Sequence, residues 1–121
     1  RLVERRAPDA WIVNFTNPVS IVTQAVSAET RARIIGICDT PTELFEHVAE
    51  VLELAPDACH FDYFGLNHLG WLREVYAAGR PQLHRLWERP DLVARIYRAP
   101  LFSVDRLRTL RLLPTRKEPA R

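Results

Sequence analysis

Side chains that can bind metals or transfer protons occur in three short stretches of the chain. The stretches contain, in order, Asn14 and Asn17, then Cys38 and Asp39, then Asn67 and His68. A thiolate and an imidazole are metal ligands, and a carboxylate can act as a general acid or base. Each residue type also has a structural interpretation, because cysteine is often a small core residue and Asn or Asp often caps a helix. The residue types by themselves leave both roles open.

The sequence around the first two stretches predicts strands that alternate with helices. Short apolar runs predict buried strands at residues 11–14 and 33–38. Polar caps and prolines predict helices at residues 18–28 and 41–54, with Asn17 as the cap of the first. Because strand-helix-strand units cross over in one direction, the two strands should be parallel.

The second half of the chain predicts a different arrangement. Residues 61–66 and 71–76 are rich in β-forming side chains, and glycines between them permit a turn, which predicts a pair of strands. After Gly79 the pattern is helical, with one apolar face made of Leu101, Val104, Leu107 and Leu110. Residues 114–121 are expected to be a disordered tail.

These elements predict an α/β fold, a partial Rossmann-like parallel sheet with flanking helices, followed by the start of a mixed α+β domain. The expected boundaries are 1–58 for the first domain, 59–113 for the second and 114–121 for the tail. Ligands of such sheets bind beyond the carboxyl ends of the strands, where the first two chemical stretches lie. The chain contains no G-x-G sequence and no methionine. We therefore expect an internal fragment that lacks the phosphate-binding half of a dinucleotide site.

Composition excludes several classes of protein. The chain has 121 residues, of which 47% are apolar and 26% charged, as in a globular domain. It shows no signal peptide and no apolar run of the roughly 20 residues that a membrane helix needs, so a cytoplasmic location and no membrane partner are expected. The formal net charge of +2 gives no argument for nucleic acid, although residues 95–121 carry eight basic and two acidic side chains. Two cysteines do not make a disulfide scaffold.

Three ordered motifs resemble one enzyme family. They are residues 14–23 (NFTNPVSIVT), residues 36–41 (GICDTP) and residues 63–71 (YFGLNHLGW). Together they resemble glycoside hydrolase family 4, especially its 6-phospho-glucosidases. The resemblance extends over about residues 8–113, the middle part of a protein that is normally several times longer.

The resemblance implies an unusual reaction and a set of residue roles. Family members cleave glycosides with NAD and a divalent metal, usually manganese, by oxidation at C3 and elimination. The matching positions make Cys38 and His68 the metal ligands, and substrate hydroxyls and water would complete the shell. Asn17 and Asn67 would bind substrate, Asn14 would contact the cofactor, and Asp39 would be a proton donor or leaving-group contact.

Some features of the resemblance remain open. Aspartate at position 39 is more usual in members that act on α-linked substrates, whereas the rest of the sequence is closer to 6-phospho-β-glucosidases. The family's catalytic base is a tyrosine beyond the last helix, but the last tyrosine here is Tyr97. We therefore expect this chain alone to be inactive. The expected partners are a phosphorylated disaccharide or aryl glucoside and, in the full-length protein, further copies of itself.

Two alternatives accompany this interpretation. Lactate and malate dehydrogenase-like enzymes also have an Asn-Pro turn after a strand and a later loop histidine, but they need no metal-binding cysteine. A degenerate fragment that keeps only an interaction surface is the non-enzymatic alternative. The remaining candidates, His47, His60, His84 and Cys59, have no partner at a recognisable spacing and are interpreted as structural.

Overall fold

The computed structural model describes residues 2–66, 68–97 and 102–115. The chain divides into two compact units, residues 1–39 and 40–121. The functional domain boundary expected after residue 58 concerns a longer protein and stays a prediction.

The first unit is a parallel strand pair with helices. It consists of α1 (Leu2–Arg6), β1 (Trp11–Asn14), α2 (Val19–Glu29) and β2 (Arg33–Gly36). The strands are parallel, with Trp11 opposite Arg33 and Asn14 opposite Gly36. This confirms the predicted α/β class and the parallel pairing. Since the strands are in register, their carboxyl ends lie at the same edge of the sheet.

Two details of this unit differ from the sequence expectations. The N-cap position of α2 is Pro18 and carries no side-chain cap hydrogen bond, so the expected capping by Asn17 is wrong. The strands are also not buried on both faces, because Trp11, Val13 and Ile35 are exposed. Parallel sheets are usually covered on both faces. In the described residues, α2 packs against one face of the pair and the alternate side chains of the other face meet solvent.

The second unit is an antiparallel sheet with short helices, which agrees with the predicted α+β character. Its elements are α3 (Thr40–Val51), a 3-10 turn (Pro56–Ala58), β3 (Cys59–Leu66), β4 (Leu69–Ala77), β5 (Arg80–Pro81), α4 (His84–Glu88), α5 (Pro90–Ile96), α6 (Val104–Leu110) and β6 (Leu113–Pro114). Strand β4 lies at the centre of the sheet and pairs with β3, β5 and β6, all antiparallel.

Helix α3 ends three residues before the predicted end for a local reason. Glu53 has a positive φ of 57°, and the Leu54 N–H reaches back to the Ala49 carbonyl at 2.8 Å. A left-handed residue with this six-to-one hydrogen bond is a Schellman helix end. The apolar residues of α3, such as Leu44 and Val48, pack into the core of the second unit.

Helix α6 buries a narrower face than the sequence suggested. Leu107 is fully buried, whereas Leu110 is 48% exposed, and Leu101 lies outside the described residues. Positions three apart drift by about 60° around an α-helix, so a row spaced by three leaves the buried face after one turn. The expectation of one continuous apolar face through Leu110 is therefore wrong.

The segment after α6 is ordered further than expected. Leu113 and Pro114 pair with Leu72 and Trp71 of β4, and Thr115 is buried. The Tyr97 hydroxyl donates to the Pro114 carbonyl at 2.8 Å, and burial raises the pKa of this tyrosine far above its usual value. The expected disorder is wrong for residues 114 and 115, because they complete the sheet. Residues 116–121 lie outside the described part of the chain.

Among the described residues, no helix combines the length and the apolar character needed to cross a bilayer.

Helix α6 allows a matched test of the core. We expect Leu107→Ala to lower the free energy of unfolding by about 2–5 kcal/mol, because it removes a fully buried side chain and leaves a cavity. Leu110→Ala, the same change one turn later at an exposed site, should cost under about 0.5 kcal/mol. Urea unfolding followed by circular dichroism measures both. Equal losses in the two variants would contradict this packing.

Candidate functional site

The carboxyl end of β1 is held by the buried amide of Asn14, which is 7% exposed. Its Nδ2 donates to the Val19 carbonyl at 3.2 Å and to Thr23 Oγ1 at 3.1 Å. Its Oδ1 accepts from the Thr16 N–H at 3.1 Å and from the Thr16 hydroxyl at 2.6 Å. One side chain thus connects the strand, the following turn and helix α2.

These four hydrogen bonds account for the whole capacity of the Asn14 amide, two donated and two accepted. Its backbone carbonyl also accepts from the Ile37 N–H at 3.0 Å. A cofactor atom would have to displace one of these partners to bind the side chain. The geometry makes Asn14 a residue that holds the turn after β1 and helix α2 in place at this edge of the sheet. The predicted cofactor contact stays a prediction.

Gly36 permits the close approach of β2 and α2. A Cβ at this position would lie 2.6 Å from Thr23 Oγ1 and 2.9 Å from Val19 Cγ2, both too short for a real contact. Thr23 therefore lies between Asn14, which donates to its hydroxyl, and the backbone of Gly36. Sequence reasoning missed Thr16 and Thr23 as supporting residues, although both lie in the first motif, because their partners are defined by the helix crossing.

Three of the predicted site residues follow the ends of the two strands in the first unit. Asn17 comes three residues after β1, and Cys38 and Asp39 come directly after Ile37, whose N–H makes the last hydrogen bond between the strands. Asn17 and Asp39 are exposed, and Cys38 is half-buried. All three leave the sheet at its carboxyl edge, where α/β sheets bind ligands.

His68 belongs to the second unit and lies in the turn between β3 and β4. Leu66 is paired with Leu69, so the connection consists of positions 67 and 68. His68 is half-buried and has a φ of 61° in the left-handed region. Asn67, the other predicted residue of this turn, lies outside the described residues.

Cys38 and His68 have donor atoms that suit a divalent first-row metal, a thiolate sulfur and an imidazole nitrogen. Over residues 2–66, 68–97 and 102–115, no three His, Cys, Asp or Glu side chains form a group that could hold a metal ion. The ligand assignment itself stays a prediction.

A parallel strand-helix-strand unit with polar residues at its carboxyl edge defines the class of protein as Rossmann-type α/β. Residues 1–59 match the model of the Family 4 glycosyl hydrolases. The 6-phospho-beta-glucosidase of Escherichia coli is 36% identical over 121 aligned positions, which include 93% of this chain. The 6-phospho-alpha-glucosidase 1 of Lacticaseibacillus paracasei is 37% identical over 75 positions, 60% of this chain and 17% of the relative.

Solved structures agree with this result. The 6-phospho-beta glucosidase from Thermotoga maritima, determined with manganese, NAD+ and glucose-6-phosphate, covers 92% of this chain at 26% identity with a TM-score of 0.68. A 6-phospho-alpha-glucosidase from gut microorganisms, determined with NAD and Mn2+, covers 71% of this chain and 20% of its own length at 34% identity, with a TM-score of 0.63.

The chain belongs to family 4 of the glycosyl hydrolases, as the three motifs indicated. It spans 27% of the length of the E. coli relative and of the T. maritima structure.

The hydrogen bonds of Asn14 give a prediction that separates it from its neighbour in the motif. Asn14→Ala should destabilise the chain by about 1–3 kcal/mol, because it leaves buried polar groups without partners. Asn17→Ala, at an exposed position without a capping role, should change stability by less than about 0.5 kcal/mol. Thermal or urea unfolding of both variants tests this, and an Asn14→Ala chain as stable as the parent would contradict it.

Proposed function

We propose that this sequence is part of an NAD- and divalent-metal-dependent glycosidase that acts on 6-phospho-glucosides, in the manner of a 6-phospho-β-glucosidase. The observation that carries the proposal is the alignment of 93% of the chain with a 6-phospho-beta-glucosidase. The structure supports it, since Asn17, Cys38 and Asp39 leave the carboxyl edge of the parallel pair.

In this proposal Cys38 and His68 hold the metal, with manganese as the first candidate. When bound, the metal supplies a Lewis acid for substrate oxygens, and NAD supplies the acceptor for a hydride. Asn17 and Asn67 bind and orient sugar hydroxyls through amide donors and acceptors. Asn14 keeps the cofactor-side edge in place through its bonds to Thr16, Val19 and Thr23.

The proposed reaction oxidises the sugar at C3 and then eliminates the aglycone from C1. A ketone at C3 acidifies the proton on C2, so a base can remove it and the electron pair can expel the glycosidic oxygen. Asp39 has an exposed carboxyl group, which can donate a proton to that oxygen as it leaves. Water would then add across the C1–C2 double bond and the hydride would return to C3, which gives the free 6-phospho-sugar and restores NAD.

The base for C2 is not assigned to Tyr97, the last tyrosine of the chain. Its hydroxyl is buried and already donates to the Pro114 carbonyl, and burial raises its pKa. A general base needs access to the proton that it removes and a pKa near the working pH. We infer that other parts of a longer protein supply the base, and that this chain alone is inactive.

The remaining parts of the proposal concern specificity and context. Relatives of both anomeric types align with this chain, and the E. coli β-specific relative covers more of it than the L. paracasei α-specific one. The β-anomer is therefore the first to assay.

A doubly charged sugar phosphate does not cross a bilayer readily, so we place the enzyme in the cytoplasm with its substrate. We propose a homo-oligomer for the full-length protein.

The two alternative functions differ from this one in their requirements. The dehydrogenase hypothesis needs neither a metal nor Cys38 and gains no support from relatives that are glucosidases. The degenerate-fragment hypothesis predicts that the sequence cannot replace the same region of a working enzyme.

A chimera tests the proposed function. The matching segment of the E. coli 6-phospho-beta-glucosidase is replaced by this sequence, and hydrolysis of nitrophenyl 6-phospho-glucosides of both anomers is measured. We expect activity that requires both NAD and Mn2+. Cys38→Ser should lower it by roughly 100-fold or more, since loss of a ligand should exceed the effect of losing an outer-shell partner. Cys59→Ser, at the other cysteine, is the matched control and should keep most of the activity. A chimera that is inactive on both anomers would contradict the proposal.

Isotopic substitution tests the order of bond breaking in the same chimera. Deuterium at C3, or separately at C2, should slow turnover if removal of that hydrogen limits the rate. Incubation in D2O should also place deuterium at C2 of the product, because the proton removed there exchanges with solvent. Products without deuterium at C2 would exclude the elimination and indicate direct displacement at C1.

A further inference from the structure

Thr115 makes an unusual concentration of hydrogen bonds to one residue, Gly70. Its N–H donates to the Gly70 carbonyl at 2.8 Å. Its hydroxyl accepts from the Gly70 N–H at 3.0 Å and lies 3.0 Å from the Gly70 carbonyl, to which it can also donate. Thr115 is 4% exposed, so these bonds are shielded from water. Gly70 is two positions from His68.

Gly70 has no side chain with which packing could hold it. A Cβ there would lie 1.6 Å from the Tyr63 hydroxyl oxygen, so the tyrosine occupies the space. The ring of Tyr63 contacts Phe45 edge-on, and its hydroxyl lies 3.4 Å from Thr115 Oγ1. The backbone of β4 at this point is therefore fixed mainly through its polar groups, and Thr115 binds both of them.

The two residues before Thr115 are held in place by burial and by hydrogen bonds. Leu113 is fully buried opposite Leu72, and the Pro114 carbonyl accepts from the buried Tyr97 hydroxyl. The turn on the other side of Gly70 is less well packed, because Leu66 and Leu69 are 73% and 70% exposed. Burial of these flanking leucines contributes little to fixing the turn.

We propose that Thr115 is a positioning residue, which fixes the turn that carries His68 and so presents the imidazole in one orientation for metal binding. This inference rests on the metal assignment made under the proposed function. It gives a role in the site to a residue outside all three sequence motifs, directly after the short strand β6. The hydroxyl, rather than the size of the side chain, is the group that matters.

The test compares Thr115→Val, which keeps the shape but loses the hydroxyl, with Thr115→Ser, which keeps the hydroxyl. Thr109→Val is the control, because Thr109 is exposed and its hydroxyl bonds within α6. NMR of the metal-free 121-residue chain reports the amide exchange of Gly70 and the imidazole signals of His68. We expect Thr115→Val to speed Gly70 exchange about five- to tenfold and to shift or broaden the His68 signals. Thr115→Ser and Thr109→Val should resemble the parent.

Addition of Mn2+ alone gives a second readout. Paramagnetic broadening of the His68 signals should need about tenfold more Mn2+ in Thr115→Val than in the parent or in Thr115→Ser. Unchanged His68 signals and unchanged Gly70 exchange in metal-free Thr115→Val would overturn the positioning role. If Mn2+ leaves the parent His68 signals sharp, the metal assignment is wrong, and the metal-free comparison still decides the role of Thr115.

Discussion

The constraint on which the first unit depends is that a buried amide must find all of its hydrogen-bond partners. Asn14 meets it at the end of β1, with two donated and two accepted bonds that reach Thr16, Val19 and Thr23. Burial of this group without partners would cost about 1–3 kcal/mol. The turn after β1 and the first turns of α2 are therefore defined relative to the strand. The residues that follow are presented from a fixed edge.

Both units combine a glycine with a threonine at the place where a candidate residue leaves the sheet. In the first unit, Gly36 admits Thr23, whose hydroxyl accepts from Asn14. In the second, Gly70 admits Tyr63 and is bonded by Thr115. In each case the missing Cβ allows close approach, and a hydroxyl satisfies polar atoms that close packing hides from water. At both places the backbone position thus depends on a glycine and a threonine hydroxyl.

In the proposed metal site, which would have few protein ligands, the placement of each ligand would matter, because every donor would be a large part of the coordination shell. Half-buried Cys38 directly follows Ile37, whose N–H bonds to the Asn14 carbonyl of β1, and His68 lies two positions before Gly70, which Thr115 binds. The apolar Trp11, Val13 and Ile35 on the outer sheet face show that the described residues cover one side of a sheet type that is normally covered on both.

The sequence by itself determined the order of the main strands and helices up to the hairpin around His68, the parallel pairing and the family. Apolar periodicity, glycine and proline positions and local motifs are short-range signals, and they locate elements to within a few residues. Only the tertiary structure decided that internal hydrogen bonds use the whole capacity of the Asn14 amide, that Asn17 does not cap α2 and that Leu110 faces solvent. It also decided that Pro114 and Thr115 complete the sheet instead of starting a tail. The completion of the sheet depends on groups that meet across β4 from residues 45 positions apart, and such contacts leave no local pattern in the chain.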